Sequence, residues 1–358
     1  MPSAAIADAL SIVIEPSLAR WWDRGSWRCR GGGEFSIGLD PSGLLTDGAI
    51  PWPGLMPTNV LPLATNGRGD YLVVRITDDS RTGDVIHWYH GGGDWIPWGR
   101  SWAEAVVVDH VGHRLPGLGC RHALEPPPPR TGAGDWYDAA LEHLPPLNLR
   151  SSDPGATLAD RLLRSGVGTA AVLAGCLIAK PESASTEKWI ARAIDEYPGL
   201  GWTWEAAGRV AERRGDVPTA IEAYGAGVRC GVFTAQSVRM GTEPPPHVAK
   251  FSLERLRHLC PEMIEGDAYL RSLSEPDRKT RLVRVGDFWR GLADGFDRDD
   301  PERLFCEHQA AHDLGCKDWR DHAEAMHRVI ATATELDRPG RAAVARLHLD
   351  CLQASGRL

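Results

Sequence analysis

The 358 residues contain no CxxC pair, no Lys/Arg-rich block and no apolar uncharged run that reaches the ~18 residues of a membrane span. The eight cysteines, at 29, 120, 176, 230, 260, 306, 316 and 351, stand singly and read as isolated thiols of a reducing cytosol. A formal net charge of −8 with no compensating basic run argues against a nucleic-acid surface. The N-terminus lacks a basic leader segment and carries Asp8 and Glu15 where a signal peptide would be apolar. A cytoplasmic protein with no membrane segment is therefore expected.

Catalytic signatures are missing too. There is no GxSxG elbow, no HExxH, no P-loop or GxGxxG spacing at the glycine triplets 31–33 and 91–93, and no calcium loop around Asp78, Asp79 and Asp84 or between Asp294 and Asp300. His87 and His90 fall on opposite faces of a regular strand, so they are not expected to share an ion. His308 and His312 share a helical face near Cys306 and Cys316, which would suit zinc, but Cys306 points off that line. The expectation is no catalytic residue, no metal and no cofactor. A metal-dependent enzyme built on His308 and His312 stands as a secondary alternative.

What is present is globular: 42% hydrophobic and 25% charged residues, at a length that suits two or three domains. Phe35, Ile37 and Leu39 alternate as a half-buried strand over Glu34 to Leu39. The turn Asn66-Gly67-Arg68-Gly69-Asp70 leads into a strand over Tyr71 to Ile76, with Leu72, Val74 and Ile76 on one face. A second strand follows over Val85 to His90. Trp95 and Trp98 are placed in a loop by Gly93, Pro97 and Gly99. Ser101 and Glu104 then have capping-box spacing at the start of a helix. Four prolines, Pro126 to Pro129, and the glycines at 132 and 134 form a spacer over 126–134. Beyond it helical spacing takes over, as in Leu282, Val285, Trp289, Leu292 and Phe296, in Trp319, Ala323, Met326, Ile330, Ala333 and Leu336, and in Val344, Leu347 and Cys351.

The order of Leu61-Pro62, Gly69-Asp70, Tyr71, Trp88, His90, Ser101, Trp102 and Glu104 resembles the SUKH superfamily. Its members are small α+β modules that serve as bacterial toxin-immunity proteins and as a fungal cell-wall regulator. Trp204, Gly208, Gly215, Ala220 and Tyr224 are similar to one tetratricopeptide repeat, although Val232 stands where that family has proline and no 34-residue period runs through the region. The fold class expected is α+β: a SUKH-like domain at 1–125 with a mixed or antiparallel sheet flanked by helices, the linker at 126–134, and an all-α, tetratricopeptide-like domain at 135–358. The resemblance implies a non-catalytic protein-binding module, an immunity protein or related regulator that occludes its partner, a polymorphic toxin domain being one such partner. Asp70, Tyr71, Asp94, Trp95 and Trp98 are the candidate partner-binding residues, loop aromatics beside acidic groups being suited to a binding hot spot. The alternative is a scaffold or adaptor that binds through the helical region. Neither the oligomeric state nor the partner's identity is legible in the sequence.

Overall fold

A computed structural model describes the chain from residue 1 to 358, apart from residues 47, 91–93, 113, 116–135, 148, 150–154, 170–183, 231–249 and 316. The spacer expected at 126–134, the second glycine triplet and Cys316 fall outside the described residues.

Five antiparallel strands lie side by side in chain order: β1 (Ile37–Gly38), β2 (Val60–Thr65), β3 (Tyr71–Ile76), β4 (Thr82–Trp88) and β5 (Trp95–Gly99). With the many helices around and after it, the sheet makes the chain α+β. β3 runs over the span its alternation predicts. β1 is shorter than expected because Phe35 leaves the strand to bury its ring against His87, edge-on at 4.6 Å. β4 starts earlier than expected and stops at Trp88, so His90 lies past its end.

The segment carrying Trp95 and Trp98 is a strand, not a loop. Pro97 has no N–H to offer a ladder, and β5 tolerates it because it is the sheet's edge. Pro62 sits likewise in β2, at a bulge and beyond the two residues that β1 pairs.

Around the sheet, α1 (Pro2–Leu10), α2 (Pro16–Asp23) and α3 (Trp102–Gly112) belong to the same hydrophobic core, and α3 lies against β4 and β5. Half of the expected capping box forms: Ser101 Oγ accepts the Glu104 N–H at 3.2 Å. Glu104 turns instead to the amides of Arg100 (3.0 Å) and Gly168 (3.2 Å). This first core does not end at residue 125. Trp136, in α4 (Trp136–Leu141), packs edge-on to Trp21 at 5.1 Å and against Trp102 at 5.7 Å. The core continues through Leu158 and Leu162 of α5 (Gly155–Arg164), Ala193 of α6 (Ala184–Glu196) and Trp202 of α7 (Gly201–Arg213).

α7 and α8 (Val217–Arg229) form the antiparallel pair that the Trp204–Tyr224 spacing predicts, with Gly215 at φ +77° in the turn and Asp216 accepting the Thr219 N–H. Gly208 sets their approach. A Cβ there would lie 2.5 Å from the Tyr224 ring, whose hydroxyl donates to Glu212 at 2.9 Å. Gly208→Ala is expected to cost about 1–3 kcal/mol by overpacking, measured by urea unfolding. Tyr224→Leu in the same chain should recover part of that loss. Equal stability of Gly208→Ala and the wild-type chain would refute this packing.

Among the described residues six more helices follow: α9 (Lys250–Leu259), α10 (Pro261–Gly266), α11 (Ala268–Leu273), α12 (Arg278–Asp294), α13 (Glu302–Gly315) and α14 (Trp319–Glu335). The last, α15 (Pro339–Ala354), returns to the start of the chain. Its Val344, Leu347 and Cys351 join the N-terminal core. Histidines make the seam polar. His312 Nε2 donates to the Leu55 carbonyl at 2.9 Å, His348 Nε2 donates to the Val60 carbonyl at 3.0 Å, and His308 Nδ1 is hydrogen-bonded to the Thr58 hydroxyl at 2.6 Å. His308 and His312, the pair on which the alternative metal-enzyme reading rests, are thus engaged by different groups of the 55–60 segment.

Among the described residues no helix is long and apolar enough to cross a membrane, and Cys29, Cys260, Cys306 and Cys351 are free thiols.

Candidate functional site at one end of the sheet

Antiparallel pairing gathers three connections at the same end of the sheet. Ile37 pairs with Thr65, so the chain preceding β1 runs beside the 66–70 turn. Tyr71 pairs with Trp88, and Trp88 with Trp95, so Tyr89, His90 and Asp94 lie at that end as well.

The turn is built by local side chains. Asn66 Oδ1 accepts the amides of Arg68 (2.8 Å) and Asp70 (3.3 Å), and Thr65 Oγ1 donates to the Asp70 carbonyl at 2.9 Å. Gly69, at φ +104°, serves twice: a Cβ there would be strained, and it would sit 2.8 Å from the His90 ring.

Asp70 is the centre of the rim. Its Oδ1 accepts the His90 backbone N–H at 3.0 Å and lies 2.8 Å from His90 Nδ1; its Oδ2 accepts from Asn66 Nδ2 at 3.2 Å. His87 Nε2 lies 4.0 Å from Oδ2, beyond hydrogen-bond length, so this contact is electrostatic. Burial by itself would raise the Asp70 pKa, but His87 and His90 together outweigh it and hold the carboxyl well below the usual range. Alternation places His87 and His90 on opposite faces of an unbroken strand. Because β4 ends at Trp88, His90 turns back and both rings reach the same carboxylate.

Of the expected partner-binding residues, Asp70, Tyr71 and Trp95 are half-buried at this end. Arg75 stands 5.3 Å over the Trp95 ring. Asp94 (0% exposed) and Trp98 (3% exposed) are inside the protein, which takes them off the surface offered to a partner. Trp98 fills core space edge-on to His87 at 5.0 Å, and the Asp94 carbonyl accepts the Tyr89 N–H at 2.8 Å. Among the described residues the accessible part of the rim is instead Gly67, Arg68 and His90.

Two groups escape the sequence. Glu34 precedes β1 and accepts from Asn66 Nδ2 at 3.2 Å. His87, Glu34 and Asp70 each offer a donor atom, and the three atoms lie within 4.8 Å of one another. No spacing rule could group residues 34, 70 and 87; only sheet register brings them together. Beneath them, Asp109 of α3 is buried and accepts the Phe35 N–H at 3.2 Å, and desolvation pushes its pKa up to about 8.

The chain matches no protein-family model, no curated protein and no solved structure.

Proposed function

We propose that the chain is a non-catalytic protein-binding module, a toxin-neutralising immunity protein or a related regulator, that acts by occluding a partner protein. The reading is supported by the pre-organised rim. Arg68 projects from a turn whose backbone is fixed by Asn66, Thr65 and Asp70, and His90 is tied to that turn through Asp70, so few conformations are lost when a partner docks. The net charge of −8 favours capture of a basic partner, as nuclease toxins are. The order of residues that resembles the SUKH superfamily runs through this same turn.

A scaffold or adaptor working through the helices is the second reading, supported by the closely packed α7–α8 pair. Truncation after Glu125 cannot separate the two, because it would remove Trp136 from the core. Point variants can. Affinity capture of the full chain from its native cell, followed by mass spectrometry, should return a partner depleted at least tenfold by Arg68→Ala with His90→Ala, which removes both projecting side chains without adding negative charge. The same partner should be retained by Arg213→Glu with Glu222→Lys on the exposed side of α7 and α8. The opposite pattern would support the adaptor and reject the rim.

A further inference from the structure

We propose that Glu34, Asp70 and His87 form a binding site for one divalent transition-metal ion of zinc type. The inference is independent of any protein partner.

Two carboxylates close together prove nothing alone; the imidazole carries the case. His87 is 2% exposed and sits in an aromatic sleeve, stacked on Tyr89 at 3.8 Å with Phe35 and Trp98 edge-on. Neither of its ring nitrogens has a hydrogen-bond partner. Buried polar groups nearly always have one, since burying them without a partner costs free energy. Of the two nitrogens, Nε2 points at the Asp70 carboxylate, where Glu34 also converges.

The spacing suits an ion. Ligands bound at about 2.0–2.2 Å from tetrahedral zinc lie roughly 3.3–3.6 Å apart. The three donor atoms, all within 4.8 Å, need only contract towards one another by side-chain rotation. The surroundings orient Asp70 for that task. His90 holds Oδ1 through its backbone amide and its ring, leaving Oδ2 turned to His87. A group that fixes a ligand in this way is what outer-shell partners of metal sites supply. Asn66 Nδ2, donating to Glu34 Oε1 and Asp70 Oδ2, contacts both carboxylates and must turn aside or keep only one of these bonds as the ion enters.

The donor set selects the class. One imidazole and two carboxylates, without thiolate, suit zinc and its borderline neighbours rather than copper(I). The ligands are too few and too nitrogenous for calcium.

The test is a zinc titration by calorimetry on the full chain after chelator treatment, with long-range 15N histidine spectra recorded in parallel. Binding of one equivalent with a shift of the His87 Nε2 resonance is expected. Glu34→Gln and Asp70→Asn should each weaken binding tenfold or more, and zinc should raise the melting temperature of the wild type but not of Glu34→Gln. His87→Gln serves as a third variant, but because it alters the core the two carboxylate variants decide. Binding that leaves the His87 resonance unmoved, binding indifferent to both carboxylate variants, or no binding at all would overturn the assignment.

Discussion

Acidifying the solution from pH 7 towards pH 4 is expected to destabilise the protein by several kcal/mol, and first at the seam between the C-terminal helices and the 55–60 segment. His312, His322 and His348 are buried, and desolvation lowers the pKa of each to about 4; His308 is driven well below its ordinary value for the same reason. The hydrogen bonds to Leu55, Ala311 and Val60 support the charged rings of His312, His322 and His348 but do not compensate for the lost water. In the unfolded chain these groups protonate near 6.5. Between pH 6.5 and 4 the unfolded state therefore binds histidine protons that the folded state refuses, and stability falls as pH falls. Asp109 and Asp313, both raised to about 8 by desolvation, act in the opposite sense, because their protons are already held in the folded state. Four histidines against two carboxyls leave an excess of about two protons, or roughly 2.7 kcal/mol per pH unit in that window. Urea unfolding followed by tryptophan fluorescence at pH 7, 6 and 5 would measure the slope. His348→Gln, which keeps a donor for the Val60 carbonyl without a titrating ring, should flatten it by about one proton. An unfolding midpoint independent of pH over this range would mean that these rings are not held neutral and buried.

That seam also marks where sequence reading stops. β3 and the apolar stripes of α12, α14 and α15 are legible because periodicity is local: alternate residues of Tyr71–Ile76, or every third and fourth residue from Trp319, must face the same side. The α7–α8 pair is legible for a similar reason, since Gly208, Gly215 and Tyr224 encode approach, turn and filler within one hairpin. β2 and β5 are concealed by Pro62 and Pro97, whose missing N–H normally argues against a strand. Their tolerance depends on what lies alongside, a two-residue neighbour for β2 and an open edge for β5. The candidate site is divided in the same way. Asp70 stands out in sequence because glycines flank it, whereas Glu34 and His87 acquire meaning only from strand register. Asp94 and Trp98 look like surface hot-spot residues because a Gly- and Pro-containing segment resembles a loop; once that segment pairs as β5, they are buried.

Glu15→Ala is the single substitution expected to cost most, about 3 kcal/mol, because one carboxylate caps two helices. Pro16 begins α2 and cannot donate, so the free amides there are those of Ser17 and Leu18. Glu15 accepts both, at 2.8 and 3.0 Å. The same Oε1 that takes Leu18 also accepts the Trp102 amide of α3 at 3.1 Å. The Ser17 hydroxyl donates to Glu15 and accepts the Ala103 amide at 3.0 Å, so α3 is capped from α2 as well as by its own Ser101. A negative group where two helix N-termini meet is favoured by both dipoles. Removing it forfeits the N-cap contribution of ~0.5–2 kcal/mol and leaves an amide of each helix without its charged acceptor, at ~1.5–3 kcal/mol for such a bond. Glu15→Asp separates the two parts. The shorter side chain can still cap α2, a role for which aspartate is well suited, but it cannot reach Trp102. About half of the loss should therefore persist in Glu15→Asp, and the hydrogen exchange of the Trp102 amide should accelerate in both variants. If Glu15→Ala unfolds within 0.5 kcal/mol of the wild-type chain, α2 and α3 are held together by the Trp21–Trp102–Trp136 packing alone, and the shared cap is incidental.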